Sequence, residues 1–217
     1  MRTWILVVLW CCCVATEAQS TSELRHVRFV PWFIDHPLVL DSGEVIEDGT
    51  PITITEFRFY VSHLAGSTHL IDAADPRSMA IDLASSSVHD SITFLLGIDS
   101  LTNVSGALGG DLDPTKGMYW TWNSGYINLK LEGSSPICPA RKNQFQFHLG
   151  GYMPPFQSAQ RVALALPPGD VIEVRVDVAA MLQRIDLRTE YEVMSPGEKA
   201  VSLSREAAKM FSCHASE

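Results

Sequence analysis

Two tryptophans two residues apart, Trp120 and Trp122 in "GMYWTWNSGYINLKLEG", and a histidine after an aromatic alternation, His148 in "NQFQFHLGG", are the residues whose types and spacing invite a chemical explanation. On an extended strand, residues i and i+2 share a face, so the two indoles point the same way with Tyr119 and Thr121 opposite. An intact indole offers one N–H donor and no in-plane lone pair, so it is not an ordinary metal ligand. By its chemistry alone the pair is either core or a stacking platform for a sugar. His148 ends a strand on which Phe145 and Phe147 share one face, which turns its imidazole to the other. Imidazole is the side chain transition metals use most.

The other candidate ligands are scattered. His63 closes "FRFYVSH", and His36 precedes Pro37 in a turn-like stretch. His69, His89 and His214 lie in polar contexts and read as exposed. The acidic, glycine-rich segment "GIDSLTNVSGALGGDLDPTKG" holds Asp99, Asn103, Asp111 and Asp113, hard oxygen donors of the kind calcium takes. Their spacing is not that of an EF-hand, and turn-forming Asp and Asn in a solvated loop account for them equally well. No G-x-S-x-G, H-E-x-x-H or P-loop occurs, so no motif supports an enzyme. The net charge of −9, without a cluster of Lys and Arg, argues against a nucleic-acid surface, which needs a basic stripe.

The elements that must carry these residues read as strands. "HVRFVPWFI", "PLVLDS", "PITITEFRFYVSHL", "HLIDA", "SITFLLGI", "YINLKLEG", "NQFQFHLGG", "RVALALP" and "DVIEVRVDVAAML" are short apolar or alternating runs separated by Gly, Pro, Asp and Ser. In the longest, Ile52, Ile54, Phe57, Phe59 and Val61 share a face only if one residue slips out of register. Many short strands with turn punctuation predict an all-β antiparallel fold, a sandwich or a barrel rather than βαβ units, with the antiparallel β-sandwich taken as the expectation. One α-helix is expected near the C-terminus in "SPGEKAVSLSREAAKMF", with Ser195 as N-cap, Pro196 at the first helical position and Glu198 completing a capping box. Ala200, Val201, Ala207, Ala208 and Phe211 would form its apolar stripe.

Residues 1–18 read as a secretory signal: a basic start, the apolar "WILVVLWCCCVA", then a cleavage site before Gln19. The apolar run is shorter than the roughly 20 residues that span a bilayer. Cys11, Cys12 and Cys13 raise a lipoprotein anchor as the lesser alternative, because the residues before them are bulky. The mature chain, 19–217, is expected to be a single domain, periplasmic or at the cell surface. It keeps two cysteines, and an even pair in an oxidising compartment predicts a Cys138–Cys213 disulfide. The alternative is that Cys213, beside His214, is a free thiol or a metal ligand.

"GMYWTWNSGYINLKLEG" resembles the W-x-W signature of the copper-binding proteins found beside methanobactin operons and in other copper loci, the MbnP-like family. "ITITEFRFYVSHL", "SITFLLGIDSLTNVSGALGGDLDPTKG", "NQFQFHLGG" and "VMSPGEKAVSLSREAAKMF" resemble further family segments in the same order, from about Phe29 to Phe211. The resemblance implies that Trp120 is oxidised to kynurenine by a MauG-like di-haem peroxidase, a partner protein. It implies that Trp122 is a neighbour that packs or relays charge, and that one copper ion is held as Cu(I) by the kynurenine and histidine. His148 matches the family's "F-H-x-G-G" histidine. Many relatives carry another histidine where this chain has Pro31 or Ser62, which leaves the second imidazole open among His63, His36 and His26. The implied role is non-catalytic: copper storage, scavenging or delivery. The rival expectation is a carbohydrate-binding or adhesive module with Trp120, Trp122 and Tyr126 as a stacking platform, and calcium in the 99–113 loop as an optional companion.

Overall fold

The computed structural model describes residues 24–84, 90–123, 125–167 and 171–215. The signal segment, Cys11–Cys13 and His89 lie outside the described residues. Two mixed sheets stack face to face. The smaller has β1 (Leu24–Phe33) at its centre, flanked on one side by β12 (Val171–Asp177) and then β14 (Phe211–Ala215). On the other side of β1 lie β6 (Ala80–Ala84) and β2 (His36–Pro37). Pro31 has no N–H to give. It falls between the last β6 pair at Arg28 and the first β2 pair at Trp32, where none is needed.

The larger sheet runs β11 (Gln160–Ala165), β7 (Ser91–Leu96), β4 (Pro51–Leu64), β9 (Gly125–Ser134), β10 (Gln144–Gly150) and β13 (Glu192–Val193). Beside β4 lie β3 (Gly43–Val45) and β5 (Ser67–Asp72), and beside β9 the two-residue β8 (Tyr119–Trp120). The β-sandwich expectation holds. Two pairs, β1 with β12 and β10 with β13, are parallel rather than antiparallel. The register slip in "PITITEFRFYVSHL" is a β-bulge between Ile54 and Glu56 where β4 meets β9. The extra residue returns Phe57 and Phe59 to the inner face.

Four phenylalanines join the sheets. Phe29 and Phe211 come from the smaller, Phe59 and Phe94 from the larger, with ring centroids 5.3–6.2 Å apart in edge-to-face contacts around a closed ring. That geometry sets the positive edge of one ring against the negative face of the next.

Three expectations for the periphery change. "PLVLDS" is largely irregular, and Asp41 takes a positive φ of 61° there. The C-terminal helix, here α3 (Glu198–Ala207), is capped by Gly197 without a side-chain hydrogen bond, so Ser195 does not form the capping box. The helix still buries Ala200, Val201 and Ala207, but Phe211 lies beyond it, on β14. Among the described residues the other α-helices are the short α1 (Ser100–Val104) and α2 (Val178–Leu182). Among the described residues no helix is long and apolar enough to cross a membrane.

Phe211→Ala should remove one ring of the quartet and lower stability by about 3–5 kcal/mol in urea unfolding. A loss under about 1 kcal/mol, the size of an ordinary surface change, would show that β14 is not part of the core.

Candidate functional site

The W-x-W stretch lies on the outer face of the larger sheet. β8 pairs with the start of β9, Tyr119 opposite Tyr126 and Trp120 opposite Gly125. The strand ends at Trp120, where a turn begins whose Asn123 N–H bonds the Trp120 carbonyl at 3.3 Å. Trp122 therefore sits in a turn, not on the strand. The two rings meet nonetheless, with centroids 5.7 Å apart and planes at 46°. Their environments differ sharply: Trp120 is 6 % exposed and Trp122 65 %.

Trp120 belongs to a second, smaller apolar cluster with Tyr60, Leu70, Ile98, Met118, Tyr126 and Ile127, separate from the main core. Tyr126 lies between the Tyr60 and Tyr119 rings, at 5.8 and 4.9 Å. Its hydroxyl accepts the Leu108 N–H and lies 3.0 Å from the Leu112 carbonyl. Tyr126 thus pins the 106–112 loop over the cluster. With Trp120 and Tyr126 buried, the three-ring sugar platform is not on the surface; Trp122 alone is.

"F-H-L-G-G" now has a spatial meaning. Along β10, Phe147 and Leu149 face the core, so His148 and Gly150 share the outer face. A Cβ on Gly150 would lie 2.5 Å from Trp120 Cζ3 and 2.8 Å from Cη2. The six-membered ring of Trp120 thus occupies the side-chain position next to His148, about 7 Å farther along the strand. Gly151 adopts φ +126°, and a Cβ there would meet the Phe156 carbonyl at 2.4 Å and Pro196 at 3.0 Å. Beyond it, Asn123, Tyr152, Met153, Pro154, Pro155, Phe156 and Pro196 line a cavity of about 220 Å³.

His148 sits at the end of a charge ladder that crosses four strands, β10, β9, β4 and β5. Its Nε2 is 2.6 Å from Glu132 Oε1 on β9. Lys130 Nζ lies 3.5 Å from the same oxygen and 3.0 Å from Glu56 on β4. Arg58 Nε is 3.3 Å from Glu56 and 3.0 Å from Asp72. Burial pulls the His148 pKa below its usual value against the opposing effect of Glu132, and Lys130 adds to the fall. Burial alone would raise Glu132, but the His148 hydrogen bond and the Lys130 charge outweigh it and hold the carboxyl below its usual range. At neutral pH the site is a neutral imidazole against an ionised carboxylate.

The other sequence candidates are not drawn in. His63, with φ +59° at the bulge between Val61 and Leu64, is turned outward and lies 3.0 Å from Asp99. His36 is exposed on the smaller sheet, its Nε2 3.3 Å from Glu44, and His26 is exposed beside Asp82 at 2.6 Å. Where relatives are expected to carry histidine, Pro31 lies in β1 and Ser62 is buried, donating to the Gly97 carbonyl at 2.6 Å. The acidic residues serve the local fold. Asp99 caps α1, Asn103 bridges the Ile98 carbonyl and the Tyr126 N–H, Asp111 pairs with Lys116, and Asp113 caps the following turn. Among the described residues no three His, Cys, Asp or Glu side chains are gathered as a metal site.

The expected disulfide is not formed. Cys138 and Cys213 are free thiols. Cys138 is buried and donates to the Gln144 carbonyl at 3.0 Å, whereas Cys213 lies on β14 opposite Val174 in the smaller sheet. Burial pushes the Cys213 thiol up to about 11, so it is not a thiolate at neutral pH.

Sequence reading missed Glu132 and Gly150 as parts of this site. The signal for Gly150 was present in "HLGG", but what fills the space it leaves is 30 residues away. Gly150→Ala should expel the Trp120 ring from its seat. A red-shifted Trp fluorescence with the fold retained by circular dichroism would report it; an unchanged spectrum would mean the contact is slack.

The MbnP family model matches residues 22–195. Among solved structures, MbnP from Methylosinus trichosporium superposes with a TM-score of 0.56 at 15 % identity, over 82 % of this chain and 86 % of that one. At that identity the likeness establishes a common fold. No curated protein matches. With the family model covering most of the chain, including both the W-x-W hairpin and the His148 strand, the protein belongs to the MbnP family.

Proposed function

We propose that the protein is an exported copper carrier that holds one Cu(I) through His148 and a kynurenine made from Trp120, serving storage, scavenging or delivery. The observation that carries this reading is the seating of the Trp120 ring at Gly150, beside His148 on the same face. An indole there has no lone pair to offer. Oxidation supplies one. Two oxygen atoms add across Cγ–Cδ1 and break that bond, a four-electron oxidation met by two peroxide equivalents reduced to water. Hydrolysis of the resulting N-formyl group releases formate and leaves an aryl amine and a ketone. Few, nitrogen-rich ligands suit Cu(I).

The oxidant in this reading is a MauG-like di-haem peroxidase, and the protein is its substrate rather than an enzyme. Trp120 is covered, so a macromolecular oxidant cannot touch it directly. Trp122 is exposed and in ring contact with it, which suits Trp122 to pass electrons outward from Trp120. The second imidazole of the family pattern has no counterpart beside His148 among the described residues. That favours a low-coordinate site, in which His148 and the kynurenine are the two protein donors.

Trp120→Phe tests the reading. The variant should fold normally, form no kynurenine and lose tight Cu(I) binding in a competition with a chromogenic chelator. Retained tight binding would refute it. Trp122→Phe should slow kynurenine formation without moving it from position 120.

A further inference from the structure

We infer that Glu132 is a positioning residue: it holds the His148 ring as its Nε2–H tautomer and leaves Nδ1 as the only ring nitrogen able to bind a metal. The consequence for metal rests on the copper reading; the tautomer does not. The His148 Nε2 to Glu132 Oε1 distance, 2.6 Å, is short for an N–H···O bond. An ionised carboxylate can only accept, so the shared proton belongs to Nε2. Lys130 secures the carboxylate as an anion, lying 3.5 Å from the same oxygen while anchored to Glu56 at 3.0 Å.

The other ring nitrogen, Nδ1, makes no such bond. The residue is 7 % exposed, and Glu132 is the only hydrogen-bond partner of its ring among the described residues. Nδ1 is not among the fully covered polar atoms that lack a partner, so its lone pair faces accessible space rather than a sealed interior and is open to a ligand. Metal-binding histidines commonly donate their second N–H to a carboxylate, which fixes the tautomer, orients the ring and strengthens the donor nitrogen. Here the carboxylate is already in place. Its support runs further: Arg58, at the far end of the ladder, donates through Nη1 to the Lys116 carbonyl at 2.9 Å, four residues before Trp120. One network therefore braces both the imidazole and the chain that delivers the indole.

Long-range ¹H–¹⁵N spectra of the copper-free protein, labelled at histidine, read the tautomer directly. Wild type should show His148 as a single Nε2–H form with a strongly downfield Nε2 proton. Glu132→Gln should lose that downfield proton and populate a second tautomer. It should bind Cu(I) about 10–100-fold more weakly, with the kynurenine content at position 120 unchanged by mass spectrometry. An Nδ1–H ring in wild type would overturn the assignment, as would a Glu132→Gln protein with wild-type spectra and affinity. Wild-type protein carrying kynurenine and a single Nε2–H ring, yet binding no Cu(I), would overturn the copper reading while supporting the tautomer.

Discussion

The site depends on one unfilled side-chain position. Gly150 lacks a Cβ, and the Trp120 ring lies in the space that a Cβ would need. Everything nearby serves that contact. β10 keeps Phe147 and Leu149 in the core, so that His148 and Gly150 face outward in sequence. β8 needs only two residues of pairing with β9 to bring Trp120 over β10, because Tyr126 and the small cluster around Tyr60 hold the hairpin from below. The sandwich core supplies rigidity, and the outer face of one sheet carries the proposed site.

The outer face also shows how charge survives partial burial. Glu56, Arg58, Lys130 and Glu132 are all largely covered, and taking such groups from water is costly unless each meets an opposite charge. Alternating acids and bases across β4, β9 and β10 meet that condition. A ladder of this kind adds little net stability compared with apolar packing. Its effect is to set geometry, and here the last rung sets the ring of His148.

Periodicity made most of the scaffold legible. The slip in "PITITEFRFYVSHL" announced a real bulge, and the alternation of Phe145, Phe147 and His148 placed the imidazole on the correct face. Local signals failed where tertiary contacts decide. A W-x-W spacing implies one strand face, yet the chain turns after Trp120 and the rings meet by a different route. "S-P-G-E" had the chemistry of a capping box, but the helix begins one residue after Gly197. Two cysteines in a chain expected to be exported suggested a bridge, yet they belong to a turn and to a strand of the opposite sheet. Glu132 lay in a plainly alternating strand, and nothing local marked it as the partner of a histidine 16 residues on.

What unites these features is a buried indole beside a neutral imidazole, with an exposed indole in contact with the first. That arrangement makes little use of tryptophan as it is encoded and good use of what oxidation would make of it. The most direct test is peptide-level mass spectrometry across residues 116–130 on protein from its native host, with metal content measured on the same sample. Kynurenine at position 120 and about one copper per chain are the expected result. Intact Trp120 with no copper in native material would contradict the copper reading.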